Sequence, residues 1–304
     1  MKKIITILIV ALALFSCKKG VKNENQKLNV VTTTSMITDL VKNIGGDAIE
    51  VQGLMGSGID PHLYKASEGD VTKLVNADVI FYNGLHLEGK LVEVFEKMEH
   101  QDIKTIAIGE SLDKSTLIGS DYFASNYDPH IWFNVENWKL ITTFITNQLV
   151  TIDPKNANVF KANSETYLAK LSKLEDRLQK TIATLAKEKR ILVTAHDAFS
   201  YFGQAYEFNV VGLQGLSTAT EAGVQDVQKL ANFIIEKEVK AIFVESSVPK
   251  RTIEALQAAV KSKDHEVAIG GTLFSDALGN IGSKEGTYIG MFEYNVNTIV
   301  NALK

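Results

Sequence analysis

One stretch of the chain keeps the periodicity of a helix for far longer than any other. From residue 154 to 189, apolar residues recur at three- and four-residue intervals, and neither glycine nor a further proline interrupts them. Asp153 followed by Pro154 is a typical helix start. A single helix over this range would be about 54 Å long, too long for a crossover within one sheet. The pattern therefore predicts a helix that joins two halves of the molecule, or two shorter helices separated by an unmarked kink.

Short apolar segments alternate with amphipathic segments on both sides of this helix. The strand-like segments lie at 28–33, 49–55, 79–82, 105–108, 191–195, 210–213, 241–244 and 267–269. Clear helical patterns lie at 35–44, 225–238 and 251–260. Such alternation predicts an α/β fold with largely parallel sheets and flanking helices. We therefore expect two lobes, at 28–150 and 190–304, joined by one long rigid helix at 151–189.

The first seventeen residues have the layout of a secretory signal. Lys2 and Lys3 precede an apolar run at 4–15 that only Thr6 interrupts. The run is too short to span a bilayer as a helix, which needs about 20 residues, but it fits the apolar region of a signal peptide. Residues 14–17, Leu-Phe-Ser-Cys, resemble a bacterial lipobox. We therefore predict a lipoprotein signal peptide at 1–17 that ends at a lipidated Cys17, followed by a flexible tether at 18–27.

Two alternatives stay open for this segment: an ordinary signal peptide with a coincidental cysteine, or a short anchor that is not removed. The lipoprotein prediction places the folded body outside the cytoplasm, in the periplasm or at the cell surface, and lipid-anchored to the membrane. Cys17 is also the one cysteine in the chain, so any metal must be held by nitrogen and oxygen ligands. The net charge of -4 and the scattered basic residues argue against nucleic acid as a partner.

Four residues at the ends of strand-like segments are candidate metal ligands. The tripeptide Asp-Pro-His occurs at 60–62 and again at 128–130, and its proline stiffens the backbone that presents the histidine. His196 and Asp276 each follow an apolar segment, where open α/β sheets bind ligands. Taken alone, a histidine at a strand end more often has a structural role than a ligand role, and Asp276 alone could cap a turn. The candidates are His62, His130, His196 and Asp276.

The other polar candidates carry less weight. His86 lies where it could line a cleft or cap a helix, whereas His100 and His265 lie in charged segments that predict solvent exposure. A ligating histidine normally donates its second ring N–H to a carboxylate or a carbonyl. Five carboxylates are candidates for that contact, or alternatively for helix caps and surface salt bridges: Asp60, Asp128, Asp197, Glu221 and Glu245.

A set of motifs in a fixed order makes the chain recognisable. After the lipobox and the two Asp-Pro-His tripeptides come Thr-Ala-His-Asp-Ala-Phe-Ser-Tyr-Phe at 194–202 and Phe-Ser-Asp-Ala-Leu-Gly at 274–279. Together they resemble the metal-binding solute-receptor lipoproteins of bacterial ABC importers, in the TroA-like cluster of zinc and manganese receptors. The resemblance extends over essentially the whole mature chain.

This resemblance implies a function and a site. One divalent metal ion would lie in the cleft between the lobes, bound by His62 and His130 from the N lobe and by His196 and Asp276 from the C lobe. The partner would be an ABC-importer permease with its cytoplasmic ATPase, and the rigid helix would limit the movement of the lobes. We expect a monomer.

The ligand set also bears on which metal is bound. Three imidazoles and one carboxylate suit tetrahedral Zn²⁺. Manganese receptors of this family usually carry Glu where this chain has His196, and oxygen ligands suit Mn²⁺ better. Against zinc, many zinc receptors carry a long His- and acid-rich loop, whereas residues 111–127 contain no histidine. We therefore favour Zn²⁺ as the cargo, with Mn²⁺ as the alternative and Fe²⁺ third.

Two other classes of function compete with a receptor. A zinc-dependent extracytoplasmic metalloenzyme would keep three protein ligands, an open position and a nearby general base. Here four ligands are available, and the sequence has neither His-Glu-x-x-His nor Gly-x-Ser-x-Gly. We therefore predict that the protein is not an enzyme. A surface adhesin is the second alternative, because surface exposure alone can produce adhesion.

Overall fold

A computed structural model describes residues 27–120 and 123–304. The predicted signal peptide at 1–17, with Cys17, lies outside the described residues, as does the predicted tether apart from Lys27. Within the described ranges, no helix is long and apolar enough to cross a membrane.

The N lobe is built on a four-stranded sheet with helices on its faces. Its elements are β1 (Leu28–Thr32), α1 (Ser35–Gly45), β2 (Ile49–Gly53), α2 (Glu68–Val75), β3 (Val79–Tyr82), α3 (Val92–Glu99) and β4 (Lys104–Ala107). The strand order is β2-β1-β3-β4, and every neighbouring pair is parallel. The central strands are almost wholly apolar because helices cover both faces of a parallel sheet. The carboxyl ends of these strands therefore meet at one edge.

The C lobe has four more strands, which form two parallel two-stranded sheets. Its elements are β5 (Ile191–His196), α6 (Ser200–Tyr206), β6 (Asn209–Gln214), α7 (Val224–Glu236), β7 (Ala241–Glu245), α8 (Arg251–Lys261), β8 (Ala268–Leu273) and α9 (Tyr288–Leu303). β5 pairs with β6 and β7 pairs with β8, both in parallel, and β5 lies beside β7. The predicted α/β class with two lobes and parallel sheets is confirmed.

Two consecutive helices join the lobes. α4 (Val135–Ile152) ends before Asp153, and Pro154–Asn156 forms a single 3-10 turn that leads into α5 (Ala157–Ile182). At 26 residues α5 is about 39 Å long. It is the predicted long helix, but it begins after Pro154 and ends before Leu185. Leu185 lies in the turn that follows the helix and is buried there. In the sequence it therefore looks like one more apolar position of the helix.

The largest hydrophobic core is shared by both lobes. It contains Trp132, Phe133 and Trp138 from the first half of the chain together with aromatic residues from α6 and α9. Trp138 stacks on Tyr288 with ring centroids 4.9 Å apart, and Phe133 lies 4.3 Å from Phe199 between centroids. Each lobe also has one smaller core of its own. The contact between the lobes is therefore packed like a protein interior.

Candidate metal centre

The four candidate ligands converge at the junction of the two lobes. One ligand atom from each of His62, His130, His196 and Asp276 lies within 4.8 Å of all the others. The closest approaches are 3.3 Å between the Nε2 atoms of His62 and His130, and 3.3 Å between His196 Nε2 and Asp276 Oδ2. Asp276 Oδ1 is 3.7 Å from His130 Nε2. None of the four residues is more than 4% exposed to solvent.

His130 is positioned by its own loop and by the segment that follows β3. Asp128 Oδ1 accepts hydrogen bonds from the His130 backbone N–H, at 2.9 Å, and from His130 Nδ1, at 2.7 Å. The side-chain amide of Asn83 donates to the carbonyl of Pro129 at 2.9 Å. Buried Glu88 in turn accepts the backbone N–H of Asn83 at 2.8 Å. With Nδ1 engaged by a carboxylate, the His130 ring directs Nε2 into the centre.

His196 is the last residue of β5, and its partner comes from the neighbouring strand. Glu245 ends β7 and accepts the His196 backbone N–H through Oε1 at 2.9 Å. Its Oε2 lies 2.5 Å from His196 Nδ1. Both side chains are buried. Because β5 and β7 are adjacent, their carboxyl ends place the imidazole and the carboxylate side by side.

Asp276 lies in the loop after β8, which contacts both lobes. Asn295 on α9 clamps Phe274 by accepting its N–H at 3.0 Å and donating to its carbonyl at 2.7 Å. The indole N–H of Trp132 donates to the carbonyl of Ser275 at 3.0 Å. The loop is thus fixed immediately before the aspartate, which faces the three histidines.

His62 is held differently from the other two histidines. Its backbone N–H donates to Asp60 Oδ1 at 2.8 Å, so the Asp-Pro-His turn is closed by its own aspartate. In the described part of the chain, Nδ1 of His62 has neither a hydrogen bond nor an ion pair with a carboxylate. The ring of His62 therefore depends on its backbone for its position.

Burial and mutual charge set the protonation of the centre. Burial lowers the pKa of His62 to about 3, although Asp276 partly opposes it. Burial also acts to lower the pKa of His196, but Glu245 and Asp276 outweigh it and raise that pKa well above its ordinary value. For Asp276, burial acts to raise the pKa, and the histidines, led by His196, hold it below its usual range. At neutral pH the metal-free centre therefore contains ionised Asp276, neutral His62 and protonated His196.

Several buried polar atoms in the centre make no aligned hydrogen bond. Among the described residues, His196 Nε2 and both carboxylate oxygens of Asp276 lack an aligned hydrogen bond. Buried polar atoms are ordinarily satisfied. A cation site needs converging nitrogen and oxygen atoms that are not already hydrogen-bonded. Imidazole together with carboxylate suits a transition metal.

Not all of the predicted carboxylate contacts are formed. Asp128 and Glu245 do contact histidine rings. Asp60 instead accepts a backbone N–H, and Asp197 accepts the hydroxyl of Ser200. Glu221 is an exposed residue that pairs with Arg251, so the interpretation of Glu221 as a histidine partner is wrong.

The remaining histidines lie outside the centre. His86 contacts Phe123 with ring centroids 6.1 Å apart, His100 follows the end of α3, and His265 lies in the loop before β8. Sequence reasoning missed Asn83, Glu88 and Trp132, which support the ligand loops. Their signal was weak, because a lone asparagine or tryptophan in a loop carries no spacing pattern.

The fold and the centre define a class: metal-binding receptors with two lobes that enclose the ion between them. The family model described as the periplasmic component A of the zinc-uptake complex, ZnuA, matches residues 30–302. The chain belongs to this family of metal-binding solute receptors.

Named relatives agree with this assignment. The manganese-binding lipoprotein MntA of Bacillus subtilis is 46% identical over 300 residues, which cover 98% of this chain and 97% of MntA. The manganese ABC transporter substrate-binding lipoprotein PsaA of Streptococcus pneumoniae is 34% identical over 316 residues, covering 100% and 99%. The solved structure of the periplasmic zinc-binding protein TroA from Treponema pallidum superposes with a TM-score of 0.89 at 46% identity, covering 91% of this chain and 99% of TroA.

Proposed function

We propose that this protein binds one divalent transition-metal ion outside the cytoplasm and delivers it to the permease of an ABC importer. The ligands are His62, His130, His196 and Asp276. The observation that carries the proposal is the buried convergence of three imidazole Nε2 atoms on the carboxylate of Asp276, whose oxygens make no aligned hydrogen bond. Two ligands come from each lobe, so the bound ion contacts both lobes at once.

Zinc is the favoured cargo, with manganese as the alternative. Four ligands at about 2.0–2.1 Å from a tetrahedral Zn²⁺ are about 3.3 Å from one another. Two of the six ligand–ligand distances equal this value, two others are 3.7 and 3.9 Å, and all of them are within 4.8 Å. Three nitrogens against one carboxylate also favour Zn²⁺ over the harder Mn²⁺. One relative named for each metal is 46% identical to this chain, MntA over 98% of it and TroA over 90%, so the ligand chemistry carries this preference.

The protein acts as a monomeric receptor and not as an enzyme. A catalytic zinc site keeps a position open for water and substrate. Here four side chains occupy the site and all are buried. Zinc-loaded protein is therefore expected to hydrolyse neither model esters nor peptides.

Cys17 anchors the receptor to the membrane through lipid, so Cys17→Ser should move it from the membrane fraction to the soluble extracytoplasmic fraction.

The ligand set is tested by calorimetry on metal-stripped protein. Wild type should bind one equivalent of Zn²⁺, and His130→Ala or His196→Ala should weaken binding by a factor of about a hundred or more while the melting temperature of the metal-free protein changes little. His100→Ala, at the end of α3, is the matched control and should bind as wild type does. Wild-type affinity in both site variants would contradict the assignment.

The cargo is tested separately from the ligand set. Protein purified without added metal is subjected to elemental analysis, and a deletion strain is grown under zinc or manganese starvation. Zinc in the protein and a growth defect under zinc starvation are expected. Manganese in both measurements would reverse the preference. Affinity alone does not identify the cargo, because Zn²⁺ binds most such sites more tightly than Mn²⁺.

A further inference from the structure

A hydroxyl of the C lobe holds the turn that carries His62. The side chain of Thr218 donates to Asp60 Oδ2 at 2.5 Å. The other oxygen of the same carboxylate accepts the His62 backbone N–H at 2.8 Å. Asp60 thus connects Thr218 on one lobe to the backbone of a candidate ligand on the other. Hydrogen bonds that involve an ionised group are among the stronger ones in proteins.

This connection matters more for His62 than it would for the other histidines. His130 and His196 each have a ring nitrogen within 2.7 Å of a carboxylate. His62 relies on its backbone, and that backbone is held through Asp60. Pro61 between them is buried and stiff, so a shift of Asp60 is transmitted to the His62 ring.

The loop that carries Thr218 starts beside another ligand. Residues 215–223 connect β6 to α7, and the carbonyl of Gly215 accepts the backbone N–H of Asp197 at 3.3 Å. Gly212 allows this approach, because a Cβ at that position would lie 2.5 Å from the Asp197 nitrogen. The loop therefore leaves the sheet next to His196 and reaches the turn of His62 on the opposite lobe.

The other N-lobe ligand is fixed to the C lobe by different contacts. Beside His130, the indole of Trp132 donates to Ser275, and the carbonyl of Asp128 accepts the Tyr201 hydroxyl at 3.1 Å. Neither of these contacts involves the His62 turn, and Leu63 next to it is 48% exposed. Of the two N-lobe ligands, His62 is therefore the one whose turn is tied to the C lobe through the hydroxyl of the half-buried Thr218.

We propose that Thr218 is a positioning residue for His62 and that its hydrogen bond to Asp60 sets how long the metal stays bound. The inference rests on the proposed function, because it takes His62 as a metal ligand. Loss of the hydroxyl frees the turn of residues 60–62, and His62 leaves the metal more often. Dissociation is then accelerated, whereas the folded protein and the other three ligands remain in place.

The test measures zinc dissociation from the full chain into excess chelator by stopped flow. Thr218→Val keeps the shape of the side chain and removes the hydroxyl, and it should raise the dissociation rate about tenfold. Thr218→Ser restores a hydroxyl and should return the rate to within about twofold of wild type. Thr220→Val makes the same change two residues away in the same loop and should leave the rate unchanged.

A double-variant comparison tests the route through Asp60. If Thr218 acts through that carboxylate, Asp60→Ala and Asp60→Ala with Thr218→Val should release zinc at the same rate. Further acceleration in the double variant, a wild-type rate in Thr218→Val, or equal acceleration by Thr220→Val would each overturn the inference. Failure of the wild-type protein to bind metal would instead refute the proposed function, so the two failures are distinct.

Discussion

The indole N–H of Trp132 donates to the carbonyl of Ser275 at 3.0 Å. Trp132 lies two residues after His130, and Ser275 immediately precedes Asp276, so this bond joins the loops of two ligands that come from different lobes. The hydroxyl of Tyr288 donates to the Trp132 carbonyl at 2.7 Å, which fixes the tryptophan itself. A residue that does not face the metal thereby sets the distance between two of the groups that do.

Trp132→Phe should weaken metal binding. Phenylalanine fills most of the space but leaves the buried Ser275 carbonyl without its donor. An unsatisfied buried acceptor costs about 1–3 kcal/mol of free energy. We expect roughly tenfold lower affinity for Zn²⁺ in calorimetry. Trp138→Phe is the control, because Trp138 packs on Tyr288 in the shared core and its replacement should lower the melting temperature while affinity is retained. Equal affinity loss in both variants would contradict the role of the Trp132 bond.

Glu245→Gln should weaken binding through His196. The amide is nearly isosteric but cannot act as an ionised partner for His196 Nδ1, which Glu245 contacts at 2.5 Å. Losing such a partner typically costs tenfold to hundredfold in metal affinity. Glu221→Gln, which alters an exposed residue paired with Arg251, should leave the affinity unchanged. The measurement is competition with a chelator of known zinc affinity, and an unchanged Glu245→Gln affinity would contradict the expectation.

Metal binding should release a proton. Despite its burial, His196 has a pKa well above its ordinary value because Glu245 and Asp276 face it, so it is protonated in the metal-free protein at neutral pH. A metal ion must displace the Nε2 proton, and apparent affinity should rise about tenfold per pH unit while the pH stays below that pKa. Burial holds the pKa of His62 near 3, so His62 adds nothing to this slope.

Calorimetry in buffers of different ionisation enthalpy measures the number of protons released. About one proton per bound Zn²⁺ is expected at pH 7, and His196→Ala should lose this release together with most of the affinity. An affinity independent of pH between about 5 and 8 would contradict the protonation of His196 in the metal-free protein.

Asp39→Asn should stabilise the protein at neutral and alkaline pH. Burial raises the pKa of Asp39 to about 6, although its bond from the Tyr288 backbone N–H opposes the shift. The folded state therefore prefers the protonated acid, and that contribution is complete below about pH 4 and lost as the pH rises through 6. Asparagine keeps an acceptor for the N–H without a charge, and a gain of about 1–2 kcal/mol is expected at pH 7.5.

Urea unfolding of the metal-free protein at pH 4, 6 and 7.5 measures this effect. The gain from Asp39→Asn should shrink as the pH falls towards 4. Asp47→Asn, which changes an exposed aspartate after the end of α1, should give no such trend. A gain that is equal at all three pH values would show that ionisation of Asp39 is not its cause.

The alternation of strands and helices could be predicted from sequence because the strands contain short apolar runs and the longer helices have one apolar face. The four ligand candidates could be picked out from sequence, because His62 and His130 share a stiff tripeptide and His196 and Asp276 follow strands. Their gathering at one site was implied by the family resemblance.

Which carboxylate supports which histidine could not be predicted, because it depends on the order of strands in space. Glu221 and Glu245 looked alike in sequence, but β7 lies beside β5 whereas Glu221 is in the exposed loop after β6. The contacts of Trp132 and Thr218 depend on how the lobes pack, which no local pattern encodes. The C-terminal end of α5 was predicted too late, because Leu185 is buried although it lies in the turn after the helix.

The aromatic residues buried between the lobes have a consequence for folding. A fragment that ended at Ile152 would expose the faces of Trp132, Phe133 and Trp138 to water, and the remaining half would expose Phe199 and Tyr288. Aromatic side chains contribute a large part of the apolar area that stabilises a core. Neither half is therefore a folding unit on its own, and heating the metal-free protein should unfold both halves in one cooperative transition.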